Sequence, residues 1–305
     1  MLASCSLHVE HCPLCGANHS ESAPFNRKLD CGVEWRYHIC RQCSLVYQSP
    51  QMNDQEAAEF YSSDYWKLWG QGDAPDDAQT RLQQARAEHL LGLVPPTTKV
   101  ARLLDIGCAA GFILREARTR FSAIAVGVEP SDSFQQYCLQ DGFRVYRSTD
   151  DLLAAGEDRF DCITMSHVLE HLSDPVGTLR TLRHHLLAEG GVLAIEVPNL
   201  YAHRAFEAGH PICFTENTLR ATLAAAGFAT KSLLIHNHPR PHLQRPLYIS
   251  AIAAPAEVQV RFDRPSVWLE RVKRAYTAKG GAWPRRIWKG TRVGLQSLFI
   301  RDLKF

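Results

Sequence analysis

Along residues 100–255 the apolar positions come in short continuous runs, separated by stretches in which they recur every three or four residues. Runs of the first kind read as buried strands, and stretches of the second kind as helices with one covered face. The pattern predicts strands near 101–106, 123–129, 143–147, 160–166, 191–197, 230–236 and 246–253, with helices near 110–120, 132–141, 174–187 and 216–226. Alternation of this sort is what crossover connections between parallel strands require. No helix separates the last two strands, so they are expected to pair as a hairpin around HNHPRPHLQ.

Ahead of this region the pattern changes. The aromatic and β-branched run WRYHI, Trp35 to Ile39, reads as a strand, and LVY after Ser44 as another. Beside them lie two C-x2-C turns, Cys12 and Cys15 in CPLCG and Cys40 and Cys43 in CRQCS. Such turns at the ends of short strands make a zinc ribbon, because each sets two thiolates a tetrahedral edge apart. A structural Zn2+ on Cys12, Cys15, Cys40 and Cys43 is therefore expected. A redox C-x-x-C accounts less well for two pairs at this spacing. Cys31, His11, His19 and His38 read as bystanders, Cys5 as a free thiol, and Ser44 stands where such a turn often has glycine.

The expected fold is thus α/β, a Rossmann-like domain with a seven-stranded, mostly parallel sheet, preceded by a small zinc ribbon. Four segments follow: the ribbon at 1–50, a helical linker and lid at 51–98, the Rossmann-like domain at 99–255 and a basic aromatic tail at 256–305. In the second segment the cluster FYSSDYWKLW is followed by a break at GQGDAPDD. A helix then runs from about Asp76, with Leu82, Ala85, Leu90 and Leu93 as its apolar stripe, until Pro95-Pro96 stops it.

The turn after the first strand of the main domain, in LLDIGCAAGF, carries the first chemical signal. Gly107 and Gly111 are present, but Ala109 and Phe112 fill the other glycine positions of the dinucleotide fingerprint. That is a poor pyrophosphate cradle. Asp105, two residues before Gly107, would repel phosphate and attract a cation. S-adenosylmethionine fits, since it lacks phosphate and carries an ammonium and a sulfonium. Glu129 ends the second strand, where a carboxylate can accept both hydroxyls of a ribose.

Composition narrows the setting. The chain opens without a basic start followed by a long apolar core, no run approaches the roughly 20 residues of a spanning helix, and a cytoplasmic protein is expected. With ten cysteines, metal binding or free thiols are favoured over a disulfide framework. The formal net charge of +2 hides a division: residues 261–305 hold 12 Lys/Arg against 3 Asp/Glu, so the remainder is net acidic.

Taken together, CPLCG, CRQCSLVYQSP, FYSSDYW, LLDIGCAAGFIL, GVEPS, FDCITMSHVLEHLSDP, LAEGGVLAIEVPN and HPICFTENTLRATLAAAGF resemble the class I S-adenosylmethionine-dependent methyltransferases. The similarity is to the subgroup with a zinc ribbon in front, related to the sugar C-methyltransferases, and it spans about Cys12 to Ile252. It implies that Asp105, Gly107, Cys108 and Gly111 line the methionine end of the cofactor and Glu129 the ribose. Thr149 and Asp150 would lie near the adenine, and Ser166 and His167 near the sulfonium. Ala109, often glycine in such enzymes, departs from the pattern. The resemblance also implies a covering loop at His210 and Phe214-Thr215, and an N-terminal lid with Tyr61, Tyr65 and Trp66.

In SHVLEHLSDP, His167 and His171 are one helical turn apart and Glu170 adjoins His171, so a base on this segment is the catalytic expectation. A purely structural Glu170 and His171 is the alternative. The expected reaction is O- or C-methyl transfer to a small molecule, a sugar or glycan intermediate first, with a quinone-type phenol or ribosomal RNA as alternatives. A zinc-dependent scaffold without activity is the reading from another class, opposed by the intact Asp105, Gly107, Gly111 and Glu129. Four Lys/Arg against seven Asp/Glu in residues 1–60 disfavour nucleic acid. The tail is expected to dock on the domain or to touch a membrane peripherally, and the second case would suit a lipid-linked acceptor.

Overall fold

The computed structural model describes residues 5–30, 33–60, 76–203, 206, 209–243, 245–262 and 266–278. The proposed lid residues Tyr61, Tyr65 and Trp66, the thiol Cys31 and the tail beyond residue 278 lie outside these.

A seven-stranded sheet forms the larger layer. Its strands are β4 (Arg102–Ile106), β5 (Ile124–Val128), β6 (Arg144–Tyr146), β7 (Phe160–Ser166), β8 (Leu187–Pro198), β10 (Phe228–His236) and β11 (Tyr248–Pro255). They lie in the order β10-β11-β8-β7-β4-β5-β6. The five consecutive strands from β4 to β8 are parallel, while β11 runs antiparallel to both β8 and β10. The α/β fold, the seven strands and the terminal hairpin expected from the sequence are all present. The parallel strands are nearly continuous in Leu, Ile and Val because both faces are covered, and Leu103, Leu104, Ile163, Leu193 and Ile195 are wholly buried.

The predicted helices occur at Phe112–Phe121, Asp132–Gln140, Pro175–Thr181 and Glu216–Ala225. A short helix at Thr149–Ala154, capped by the Ser148 side chain, had no periodic stripe to announce it. The helix Asp77–Gly92 starts with a reciprocal cap between Asp76 and Gln79. It buries Ala87, Leu90 and Leu91 in the same core as Leu103 and Leu114. It is thus part of the main domain's core, where the sequence suggested a linker, and of the predicted stripe Leu90 is buried while Leu82 lines a cavity.

The smaller layer is a four-stranded sheet of β1 (Ser22–Asp30), β2 (Val33–Cys40), β3 (Val46–Gln48) and β9 (Ile212–Cys213), in that order. β9 belongs in sequence to the main domain, between β8 and the helix Glu216–Ala225. It pairs with β3 through Val46 opposite Cys213 and Tyr47 opposite Ile212, and Gln48 N donates to Pro211 O at 2.8 Å. The ribbon and the main domain therefore share a sheet, and the boundary drawn at residue 50 cuts through it.

The first helix of the tail, Val267–Ala278, docks on the protein. Arg271 donates to Pro24 O of the ribbon, Tyr201 to the Glu270 carboxylate, and Arg274 lies over the Phe206 ring at 4.1 Å. Among the described residues no helix is long and apolar enough to cross a membrane.

Candidate active site

At the carboxyl ends of β4, β5, β7 and β8 a cavity of about 590 Å3 opens. The turn after β4 forms its floor. Gly107 takes φ +72° and lies against Val168, whose Cγ2 a Cβ would meet at 2.5 Å. Only glycine satisfies both conditions. Ala109 sits at φ +43°, a left-handed conformation that costs a residue with a Cβ roughly 1 kcal/mol. Its N–H is held by a 2.9 Å bond to Glu129 Oε2, so the departure from glycine is accommodated.

Asp105 and Glu129 are buried, at 2% and 3% exposure. Asp105 Oδ1 accepts from Thr164 Oγ1 at 2.7 Å, and Glu129 Oε1 accepts from Ser131 N at 2.9 Å. Burial, against the hydrogen bond from Thr164, pushes Asp105 up to about 7. Burial, against the bonds from Ser131 and Ala109, does the same to Glu129, up to about 7. Two carboxylates so placed are stabilised by a positively charged ligand and penalised without one. Phosphate-bearing nucleotides fit this floor badly.

Affinity for such a cation should weaken on acidification. Lowering the pH from 8 to 6 protonates groups that titrate near 7, costing about tenfold in affinity per carboxylate involved. The stability of the ligand-free protein should move the other way. The folded state holds more protons than the unfolded one between about pH 4 and 7, so its stability falls as pH rises through that window. Calorimetric titration and thermal melts at both pH values check the two signs.

The opposite wall is built on the end of β7 and the turn after it. His167 holds φ +56°, with its N–H donating to Glu196 O at 2.9 Å. Its ring lies between two carboxylates, Nδ1 at 3.2 Å from Glu170 Oε1 and Nε2 at 3.3 Å from Glu196 Oε1. Burial and Arg86 would lower its pKa, but the two carboxylates prevail and raise it. Burial alone would raise Glu170, yet contact with His167 brings it down to about 2. With each ring nitrogen turned to a carboxylate, His167 is held between them and is not an open base.

His171 differs. Its Nδ1 lies 2.6 Å from Gly209 O, its Nε2 lies 4.0 Å from Glu170 Oε1, and burial lowers its pKa. His210 stands edge-on to it, ring centroids 4.7 Å apart, and burial drives it well down as well. The structure thus gathers Glu170, His171 and His210 into one wall, reached from two separate segments.

Of the other predicted residues, Gly107, Cys108 and Ser166 line the cavity, and Gly111 caps the helix behind it at φ +77°. Thr149 and Asp150 open the helix Thr149–Ala154 and are not among the residues lining the cavity. Several lining residues escaped the sequence reading. Gln48 and Gln51 arrive from the ribbon, Arg86 from the helix Asp77–Gly92, and Tyr248 from β11. Glu196 lies behind them, 2.9 Å from Arg86 Nε. Only Glu196 left a signal, as a lone acid inside the apolar run VLAIEVP.

In the ribbon the four cysteines converge. Cys12 and Cys43 sulfurs lie 3.5 Å apart and those of Cys15 and Cys40 3.6 Å apart, and all four fall within 4.8 Å of one another. Tetrahedral zinc with Zn–S of about 2.3 Å needs sulfurs about 3.8 Å apart. Gly16 at φ +72° and Ser44 at φ +69° follow the two turns in matching conformations.

A family model described as a methyltransferase domain matches residues 77–233, just over half of the chain. A ubiquinone biosynthesis O-methyltransferase of Xanthomonas axonopodis pv. citri is 30% identical over 138 residues, 43% of this chain and 56% of that protein. Its namesake in Cereibacter sphaeroides is 38% identical over 105 residues, 32% of this chain and 41% of the relative. The chain thus spans about half the length of the curated relatives it matches. Among solved structures, a chain of a Haloferax volcanii complex containing the Trm112 methyltransferase activator superimposes with TM-score 0.50 at 16% identity, covering 65% of this chain and 99% of that one. At that identity the likeness is one of fold.

Proposed function

Since the chain belongs to the methyltransferase-domain family and is an S-adenosylmethionine-dependent methyltransferase, we propose that it methylates an oxygen of a small aromatic acceptor of the quinol or phenol type. The observation that carries this reading is the pair His171 and His210, backed by the buried Glu170, lining the same largely apolar cavity as the cofactor floor. Met52, Leu82, Ile113, Leu172 and Tyr248 offer an aromatic ring apolar contact. A hydroxyl on that ring must lose a proton as it is methylated, and the wall is where the proton can be managed. The names of the curated relatives support an oxygen acceptor. A sugar or glycan acceptor, favoured from sequence, gains no such support.

The cofactor supplies a methyl group already activated on a sulfonium, so the chain's work is positioning and exclusion of water. In this reading Asp105, Gly107 and Cys108 receive the methionine end, with the carboxylate of Asp105 toward the ammonium. Glu129 accepts from the ribose hydroxyls with the lone pairs left by Ala109 and Ser131. His167 neutralises Glu170 and Glu196 and fixes the wall. Cys12, Cys15, Cys40 and Cys43 hold a structural Zn2+, the donor set and spacing being those of a closed tetrahedral site.

The test is incubation of the purified chain with methyl-labelled cofactor and a panel of catechols, quinol precursors, sugars and RNA, followed by mass spectrometry of the labelled fraction. Label on a phenolic oxygen is the expected result. Label on carbon, on a sugar or in RNA would replace the acceptor assigned here.

A further inference from the structure

We propose that Gln48 and Gln51, both carried by the ribbon, select the acceptor by hydrogen-bonding a neutral group on it that donates and accepts at once. β3 alternates its faces: Tyr47 turns into the core that holds Cys12 and Cys43, and Val46 packs with Trp35, Tyr37 and Phe206. Gln48 follows Val46 on the same face and is just as enclosed, at 0% exposure. That position asks for an apolar side chain. An amide stands there instead, and it lines the cavity.

Among the described residues neither Oε1 nor Nε2 of Gln48 has a hydrogen-bond partner. Oε1 of Gln51, a residue 4% exposed that lines the same cavity, has none either. Buried polar groups are nearly always paired, so enclosed amides that border a cavity point to a ligand that completes them.

Both residues are held in place through the backbone alone. Gln48 N donates to Pro211 O at 2.8 Å, while Gln51 N donates to Leu7 O at 2.9 Å and Leu7 N to Gln51 O at 3.0 Å. The side-chain amides are therefore positioned without being spent. The bond to Pro211 also sets Gln48 beside His210, on the side of the cavity where the reacting oxygen is read to sit.

Resting on the oxygen-acceptor reading, the group recognised is a substituent next to the oxygen that is methylated. A primary amide presents a carbonyl and two N–H groups. A carboxylate on the acceptor answers only the N–H groups and brings its charge against amide oxygens, and an ammonium answers only the oxygens. A hydroxyl or a carboxamide answers both. Of the guanidiniums lining the cavity, Arg86 is already engaged by Glu196 at 2.9 Å and Gln83 at 3.0 Å, and Arg240 is exposed, where solvent screens its charge. A site built to hydrogen-bond such a group rejects the analogue without it, because its own buried amides are then left unpaired.

The experiment measures binding of catechol, salicylamide, salicylate and phenol by ligand-observed nuclear magnetic resonance. The zinc-loaded full chain is used, saturated with S-adenosylhomocysteine so that no turnover intervenes. Catechol and salicylamide should bind about tenfold or more tightly than salicylate and phenol. In Gln48→Met, which keeps the length of the side chain and removes the amide, all the probes should fall within about threefold of one another. Cofactor affinity should be retained, and the ligand-free variant should melt no lower than wild type, because an enclosed unpaired amide has given way to an apolar chain. A merely structural Gln48, bonded to buried water, would instead lower the melting temperature and weaken every probe alike. Should Gln48→Met not fold, Gln51→Met reads the same comparison. Absence of the preference in wild type, or its survival in the variant, would overturn the assignment. The expected preference with no label passing from methyl-labelled cofactor to a phenolic oxygen would overturn the acceptor reading and leave the role of the amide pair standing.

Discussion

Replacing two zinc ligands, as in the double variant Cys40→Ser/Cys43→Ser, is expected to cut methyl transfer at least a hundredfold while leaving S-adenosylmethionine affinity within about threefold. The sequence of contacts is short. Cys40 ends β2, Val46–Gln48 forms β3, and β3 carries Ile212–Cys213 as its outer partner. His210 lies two residues before that pairing, beside the Gln48-to-Pro211 hydrogen bond. A structural zinc contributes on the order of 10 kcal/mol to the folding of a small module, more than a two-residue strand can offset. Without it the acceptor wall loses His210, Gln48 and Gln51 together. The cofactor floor rests on β4 and β5, which are held in register by the other strands of the seven-stranded sheet, and should persist. Turnover and calorimetric cofactor titration of the same preparation decide the matter. Loss of both, or of neither, would refute the coupling.

A larger effect on the cofactor itself is expected at Asp105 and Glu129, and the two should differ in kind. Asp105→Asn keeps an oxygen for the Thr164 hydroxyl and removes a buried charge. Cofactor affinity should fall roughly 10- to 100-fold, as for a lost charge-assisted bond, while the ligand-free protein at pH 8 becomes no less stable or gains stability. Glu129→Gln places an amide N–H against a backbone N–H, because Oε1 and Oε2 each accept from one, Ser131 and Ala109. It should therefore lose affinity and also stability, by about 1–3 kcal/mol for the unpaired donor. Thermal melts with and without cofactor separate the variants. Equal behaviour would mean that burial of Asp105 carries no penalty.

Much of this was visible in the chain itself. The seven strands were legible because parallel strands buried on both faces need unbroken apolar runs. The knuckles at Cys12 and Cys40 and the turn at Gly107 were legible because their backbone demands particular residues at fixed spacing. The carboxylates Asp105 and Glu129 followed from their places at strand ends. The acceptor side was harder. Gln48, Gln51, Arg86 and Tyr248 meet only in three dimensions, and nothing local distinguishes them from ordinary surface or core positions. β9 is too short to show a period. Thr149 and Asp150 are implied by likeness alone, and Ser148 caps the helix that they open. His167 looked like a base until its two carboxylate neighbours were seen. The glutamate that matters for that judgement, Glu196, lies 29 positions further along the chain.

The shared sheet also limits how the molecule can be taken apart or recombined. An N-terminal module borrowed from a relative would arrive with a β3 edge shaped for another loop, and the catalytic half would be left offering Ile212 and Cys213 to a mismatched neighbour. Exchange of acceptor preference between such proteins thus calls for two distant stretches of chain to travel together, the knuckled head and the few residues around His210.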